Sequence, residues 1–121
     1  MAAVRYLVED ADAAAAFYVD VLGFAVDRRM GTALTMVKRD DLVLWLSGPE
    51  TSAARPMPNG DKPAPGGWNR LVLEVKNLDS IVERLREAGA RFRNEPISGP
   101  GGRQVLVEDP SGNPIELFQP A

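Results

Sequence analysis

The chain of 121 residues carries 14 basic and 17 acidic residues, a formal net charge of −3, which suits one globular domain. It contains no Cys and no His, which excludes a disulfide framework and every mechanism built on a Ser-His-Asp or Cys-His arrangement. The acidic balance argues against nucleic acid as a partner, because phosphate binding needs clustered cations. The sequence has neither the roughly 20 apolar residues of a membrane span nor a secretory pattern, so we expect a cytoplasmic protein without a membrane partner.

An internal repeat organises the chain into two modules. The first module, residues 1–47, begins with a predicted strand over Val4 to Val8 and a helix over Asp12 to Leu22 that ends at Gly23. Runs that alternate with a period of two then predict three strands, over residues 24–28, 32–39 and 42–47.

The second module, residues 68–121, repeats this order. Asn77 is a candidate helix cap in the place that Asp10 takes in the first module. The same number of residues separates Val8 from Val75 and Asp10 from Asn77, so the two copies stay in register. The strands predicted in this module cover residues 70–75, 91–94, 104–108 and 114–119.

Residues 48–67 join the modules within a single domain. The segment is too rich in proline and glycine for a helix or a central strand. Loops of this length are uncommon in compact domains and are often functional. It is therefore predicted as a lid or functional linker, with a plain spacer as the alternative.

A set of short motifs, duplicated in order and spacing, resembles the vicinal oxygen chelate superfamily. This superfamily includes glyoxalase I, the extradiol dioxygenases, methylmalonyl-CoA epimerases, fosfomycin-resistance enzymes and the bleomycin-resistance binding proteins. The resemblance spans nearly the whole chain. The motifs are Asp10, Phe17-Tyr18 and Leu22-Gly23-Phe24, followed by Asp109-Pro110, Gly112-Asn113 and Glu116-Leu117.

The resemblance implies an α+β fold. Two tandem β-α-β-β-β modules would form a curled eight-stranded mixed sheet around a cavity, with the helices on the outer face. It also implies that two copies of the chain pair, because relatives cover their sheet edges in this way. A homodimer that binds a small molecule is the expectation.

Enzymes of the resembled superfamily hold a divalent metal with side chains from the first and last strand of each module. The corresponding positions here are Ala3, Leu44, Arg70 and Glu116, of which only Glu116 can ligate a metal. We therefore expect no metal and no other cofactor. The alternative is a shifted register that recruits Glu9 or Glu74 into an all-carboxylate site suited to magnesium or manganese.

Strand alternation predicts which side chains face the cavity, because residues two apart share a face. With Glu116 inward, Arg5 and Leu44 also point inward, whereas Trp45 lies opposite and packs under the outer helix. Simple packing is the alternative role for the leucines of this strand. The predicted ligand-binding residues are Arg5, Leu44, Trp68, Arg70, Val72, Glu74, Glu116 and Phe118.

Arg70 and Glu116 are predicted to lie on neighbouring strands and to form a charge-assisted pair. In one interpretation Arg70 replaces a metal ligand and neutralises Glu116, so that neither charge is buried alone. In the other, Glu116 is a catalytic general base, although an adjacent cation stabilises the carboxylate and makes it a weaker base.

The leading hypothesis is a metal-independent small-molecule binding protein that resembles the bleomycin-resistance type. Its ligand would be partly apolar and neutral or cationic. The alternative is a glyoxalase-like lyase, isomerase or dioxygenase acting on a small oxygenated metabolite, either metal-free or with a carboxylate metal site. A non-catalytic subunit is a third class, and the sequence leaves open whether the protein is an enzyme.

Overall fold

The computed structural model describes residues 1–121, which form two compact units, residues 1–66 and residues 67–121. Each unit contains one α-helix and one mixed sheet, so the fold class is α+β, as predicted. Neither helix is long and apolar enough to cross a membrane.

The first unit follows the predicted β-α-β-β-β order. Its four-stranded sheet has the order β1-β4-β3-β2, with β1 parallel to β4 and the other neighbours antiparallel. A short 3-10 helix over Ser52–Ala54 follows the last strand. The elements are β1 (Val4–Leu7), α1 (Ala11–Asp20), β2 (Ala25–Met30), β3 (Leu34–Arg39) and β4 (Leu42–Ser47).

The second unit has the same order but divides one strand in two. The elements are β5 (Leu71–Glu74), α2 (Leu78–Glu87), β6 (Arg91–Phe92), β7 (Ile97–Gly99), β8 (Gly102–Glu108) and β9 (Pro114–Pro120). The sheet order is β5-β9-β8-β6, and β7 also pairs with β8. The predicted strand over residues 91–94 is shorter and ends at Phe92, because Leu106 N donates to the side-chain Oδ1 of Asn94 at 2.9 Å and not to a backbone carbonyl of this strand. The sheets contain four and five strand segments, against eight strands predicted.

Both helices begin at the predicted side-chain caps. Asp10 accepts hydrogen bonds from the backbone N–H groups of Asp12 and Ala13, and Asn77 accepts one from Ser80. These bonds satisfy donors that have no partner inside the first turn of a helix. The duplication read from the sequence is thus present in the local structure as well.

The core of each unit lies on one face of its sheet, together with the apolar side of the helix. In the first unit, Val37, Leu44 and Leu46 are buried, as are Ala14 and Tyr18 of α1. The second unit buries the corresponding side chains of β5, β8 and β9 with those of α2. These are Leu71, Leu73, Val105, Val107, Ile115, Leu117, Leu78, Val82 and Leu85.

Candidate functional site

The open face of the second sheet carries the largest group of predicted site residues. Parallel pairing places Val72 beside Glu116 and Glu74 beside Phe118. Leu71 and the other intervening residues of β5 point the opposite way and are buried, while Val72 and Glu74 are exposed. The alternation predicted for β5 and β9 therefore agrees with the structure.

The predicted ion pair between Arg70 and Glu116 forms on this face. The guanidinium donates from Nε at 3.1 Å and from Nη2 at 2.9 Å, both to Oε1 of Glu116. A third nitrogen, Nη1, lies 3.4 Å from the carbonyl oxygen of Trp68. Glu116 is only 8% exposed, so its charge would be costly to bury without this cation.

Trp68 is held at the start of the second unit by Arg93, a residue that sequence reasoning missed. The guanidinium of Arg93 lies 4.6 Å from the centre of the Trp68 ring. It donates to the carbonyl oxygens of Gly67 at 2.7 Å and Gly112 at 3.0 Å, and to Glu108 Oε2 at 2.9 Å. Trp68 is nevertheless 69% exposed, which leaves one surface of its ring open for contact.

The open face of the first sheet carries Arg5 and Trp45, next to the fully buried Ser47. The guanidinium of Arg5 lies 4.9 Å from the centre of the Trp45 ring, and its Nη1 donates to Ser47 Oγ at 3.1 Å. The predicted positions of Leu44 and Trp45 are therefore wrong. Leu44 is fully buried on the same side as Val37, which leaves it no surface for a ligand.

The error comes from the register of β4. The hydrogen bond from Val8 N to Ser47 O in the first unit has its counterpart from Val75 N to Phe118 O in the second. Counting back two residues from Ser47 reaches Trp45, and counting back two residues from Phe118 reaches Glu116. Trp45 therefore takes the position in the first unit that Glu116 takes in the second. Strand β4 is apolar on both faces, so alternation alone could not identify which face is covered.

The resembled superfamily implies a divalent metal, and the donors at the corresponding positions do not fit one. Ala3 offers only a methyl group, and the indole Nε1–H of Trp45 is a donor, buried without a hydrogen-bond partner. Arg70 is a cation, and its Nε and Nη2 already donate hydrogen bonds to Glu116. Nowhere in residues 1–121 do three His, Cys, Asp or Glu side chains come together as a metal site. Glu9 and Glu74 therefore belong to no such group.

The polar motif at the turn between β8 and β9 has a structural role. Asp109 Oδ1 accepts from the backbone N–H groups of Ser111 and Asn113, and Oδ2 accepts from the Asn113 side chain at 3.0 Å. Asp109 and Asn113 are both buried. These bonds shape the turn that starts β9 and so set the register of Glu116 against β8.

The chain is similar over most of its length to an enzyme and to an antibiotic-binding protein. It is 31% identical over 130 residues to the ethylmalonyl-CoA/methylmalonyl-CoA epimerase of Cereibacter sphaeroides, covering 96% of this chain and 94% of that enzyme. It is 29% identical to TnmS3, an antibiotic binding protein from Streptomyces sp. CB03234, with a TM-score of 0.71 and coverage of 100% and 97%.

A third likeness concerns the fold alone. Lactoylglutathione lyase from Agrobacterium tumefaciens superposes with a TM-score of 0.73 at 23% identity, covering 98% of this chain and 92% of that one. The sequence model of the Glyoxalase/Bleomycin resistance protein/Dioxygenase superfamily matches residues 1–117. Together with the duplicated β-α-β-β-β units, this match shows that the chain belongs to the Glyoxalase/Bleomycin resistance protein/Dioxygenase superfamily.

Proposed function

We propose that the protein is a metal-independent small-molecule binding protein that sequesters its ligand. The observation that carries the proposal is the Arg70–Glu116 pair, in which the one carboxylate at a metal-ligand position is already bound by a guanidinium. An ion held by a single protein carboxylate would lack the three or four ligands that give affinity and geometry. The similarity to an antibiotic binding protein supports the same function.

The exposed side chains of the second unit suggest the chemistry of the ligand. Val72 is 56% exposed and Trp68 is 69% exposed, so both offer apolar surface, and the half-buried Phe118 is paired with Glu74. Glu74 adds an exposed carboxylate on the same face. This combination fits a planar, partly apolar compound that carries a neutral or positively charged polar group.

Ligand screening with the full chain tests this function. We expect planar cationic antibiotics to raise the unfolding temperature, because a ligand at 100 times its Kd stabilises the native state by about 2.7 kcal/mol. Trp68→Ala should weaken binding by about tenfold or more if the ring stacks on the ligand. Phe92→Ala, at an aromatic residue of β6 outside the predicted site, is the control and should leave affinity within about twofold.

Elemental analysis of the purified protein tests metal independence separately. We expect less than stoichiometric iron, zinc, nickel, manganese and magnesium after dialysis. A stoichiometric ion that Glu116→Gln removes would contradict the proposal and would show that Glu116 ligates a metal.

A catalytic function is the second candidate, and the 31% identity to an epimerase favours it. In this case Glu116 would remove a proton from a carbon next to a thioester carbonyl, Arg70 would stabilise the resulting enolate oxygen, and a proton from water would add to the opposite face of the enolate. Incubating the protein with methylmalonyl-CoA in D2O tests this directly. Deuterium incorporation that Glu116→Gln abolishes would favour the enzyme, whereas binding without exchange would favour sequestration.

We also propose a homodimer in the cytoplasm. All six residues of the edge strand β2 are exposed, including Val26 at 40% and Met30 at 45%. An open edge with apolar side chains is a surface that a second copy could cover.

A further inference from the structure

A pocket in the first unit lies between the end of β1 and the proline-rich segment that follows β4. Its volume is about 200 Å³, and the sheet side of the wall includes Leu7 and Val8. The segment supplies the opposite wall through Pro49, Ala54 and Pro65. Residues 48–66 therefore do more than connect the modules, because they form one wall of an apolar pocket within their own unit.

The wall of this pocket is pre-ordered by hydrogen bonds within the segment. Thr51 Oγ1 donates to the carbonyl oxygen of Gly48 at 2.7 Å, and Met57 N donates to the carbonyl oxygen of Asp61 at 2.7 Å. Asp61 N in turn donates to Asn59 Oδ1 at 3.0 Å. Prolines restrict the backbone further, so little conformational entropy would be lost when a ligand enters.

Two opposite charges interrupt the apolar lining. Glu9, which follows β1, and Lys62 of the segment are the charged residues that line the pocket. Both residues are exposed, and Lys62 forms no ion pair in the protein. A ligand that matches this wall needs an apolar body, a cationic group and an anionic group.

We propose that this pocket binds a small zwitterion with an apolar side chain, the chemistry of an α-amino acid such as leucine or phenylalanine. The side chain enters the apolar space beside Leu7 and Ala54, the ammonium group pairs with Glu9, and the carboxylate pairs with Lys62. The volume is below the roughly 300 to 1,000 Å³ of pockets for drug-sized ligands, which limits the occupant to this size. The site is additional to the function proposed for the second unit.

Titrations monitored by the amide NMR spectrum of the full-length protein test the proposal. The probes are L-phenylalanine, 3-phenylpropanoate, which lacks the ammonium group, and 2-phenylethylamine, which lacks the carboxylate. We expect saturable shifts at the amides of Ala54 and Lys62 with L-phenylalanine. Each single-charge probe should bind about threefold more weakly, since an exposed ion pair contributes little.

Variants of the two charged residues identify the partner of each ligand group. Lys62→Gln should weaken L-phenylalanine about threefold and leave 2-phenylethylamine unchanged, whereas Glu9→Gln should leave 3-phenylpropanoate no weaker. Lys76→Gln removes the same charge from an exposed position in the second unit and should change nothing. Ala54→Phe places a ring in the pocket and should abolish binding.

Three results would overturn the proposal. The first is the absence of a saturable shift with L-phenylalanine up to its solubility limit. The second is an affinity for 3-phenylpropanoate equal to that for L-phenylalanine, and the third is an affinity of Lys62→Gln for L-phenylalanine equal to that of the wild type. The substitutions at the exposed residues Glu9 and Lys62 keep the test valid even if Ala54→Phe does not fold. None of these results depends on Trp68 or Glu116, so this site and the function proposed above fail separately.

Discussion

At the scale of single residues, two arginines determine how the open face of the second unit is arranged. Arg70 neutralises Glu116, and Arg93 binds Trp68 together with backbone oxygens from two distant turns. The side chains of Arg93 and Glu108 are 15% and 22% exposed, so their ion pair is largely shielded from water. Removing either arginine, or the group that it binds, therefore leaves shielded polar groups without a hydrogen-bond partner.

Glu116→Gln should lower the free energy of unfolding by about 1 to 2 kcal/mol, because it leaves the guanidinium of Arg70 with a neutral acceptor. Arg70 is partly exposed, which keeps the loss below that of a fully buried pair. Urea denaturation measures the change. The double variant Arg70→Met with Glu116→Gln should lose less than the sum of the two single variants, and strict additivity would contradict the coupling.

Arg93→Met should expose both faces of the Trp68 ring and lower the free energy of unfolding by about 1 to 3 kcal/mol. In a Trp45→Phe background, Trp68 is the remaining tryptophan, so acrylamide quenching of its fluorescence should increase. Arg91→Met is the matched control, because Arg91 also lies near Glu108, at 3.6 Å, but is mostly exposed. Equal quenching in the two variants would show that Arg93 does not hold the ring.

At the scale of elements, the two helices depend on side chains at their first turns. Asp10 binds two backbone N–H groups of α1, whereas the first turn of α2 is shared between Asn77 and Gln119, whose Oε1 accepts from Leu78 N at 2.7 Å. The second helix is thus tied directly to β9. The first has one cap, and its loss has no replacement.

Asp10→Ala should therefore lower the free energy of unfolding by about 1 kcal/mol, the usual contribution of a side-chain cap. Asp20→Ala makes the same chemical change at the other end of α1, where an acidic group opposes the helix dipole, and should be neutral or slightly stabilising. Thermal and urea unfolding measure both. Equal losses would show that the cap is not the cause.

The ion pair between Asp79 and Arg103 links the first turn of α2 to β8. The hydrogen bond from Arg103, and then its charge, hold the pKa of Asp79 below its ordinary value. Because the folded-state pKa is lowered, the contribution to stability is present at neutral pH and is lost as the pH falls through the acidic range. The Asp79 side chain is 74% exposed and the Arg103 side chain 36%, so water screens the pair and this contribution is small.

Arg103→Gln should raise the pKa of Asp79 towards its ordinary value, which the carboxyl carbon shift reports in an NMR titration. Arg91→Gln removes a guanidinium that approaches Glu108 and should leave the titration of Asp79 unchanged. A titration curve of Asp79 that is identical in Arg103→Gln and the wild type would contradict the assigned cause.

At the scale of the whole molecule, the exposed edge strand β2 bears on how copies of the chain assemble. Light scattering at tens of micromolar should give about twice the chain mass of 13.1 kDa. Val26→Lys places a charge on this edge and should shift the equilibrium towards the monomer. Ile97→Lys, at an exposed position on β7, is the control. A wild-type protein that is monomeric at this concentration would contradict the prediction.

Much of the fold was predictable because its signals are local. Asp10 and Asn77 mark where the helices begin, Gly23 follows the first helix with a φ of 75°, and the repeat aligns the modules. Such signals depend on hydrogen bonds and backbone angles within a few residues. The pair of Arg70 with Glu116 was also predictable, since the repeat and the family resemblance place both at the ends of adjacent strands.

The amino-acid sequence by itself determined the α+β class, the duplication, the helix starts and the poor set of metal donors. Only the tertiary structure decided that Trp45 and not Leu44 lies on the open face. The side chains on both faces of β4 are apolar, so the order of residues along the strand does not tell which face is covered. The tertiary structure also decided the role of Arg93, whose partners lie far away in the chain, and the pocket formed by residues 48–66. These features arise from contacts between distant segments, which local patterns of residues do not encode.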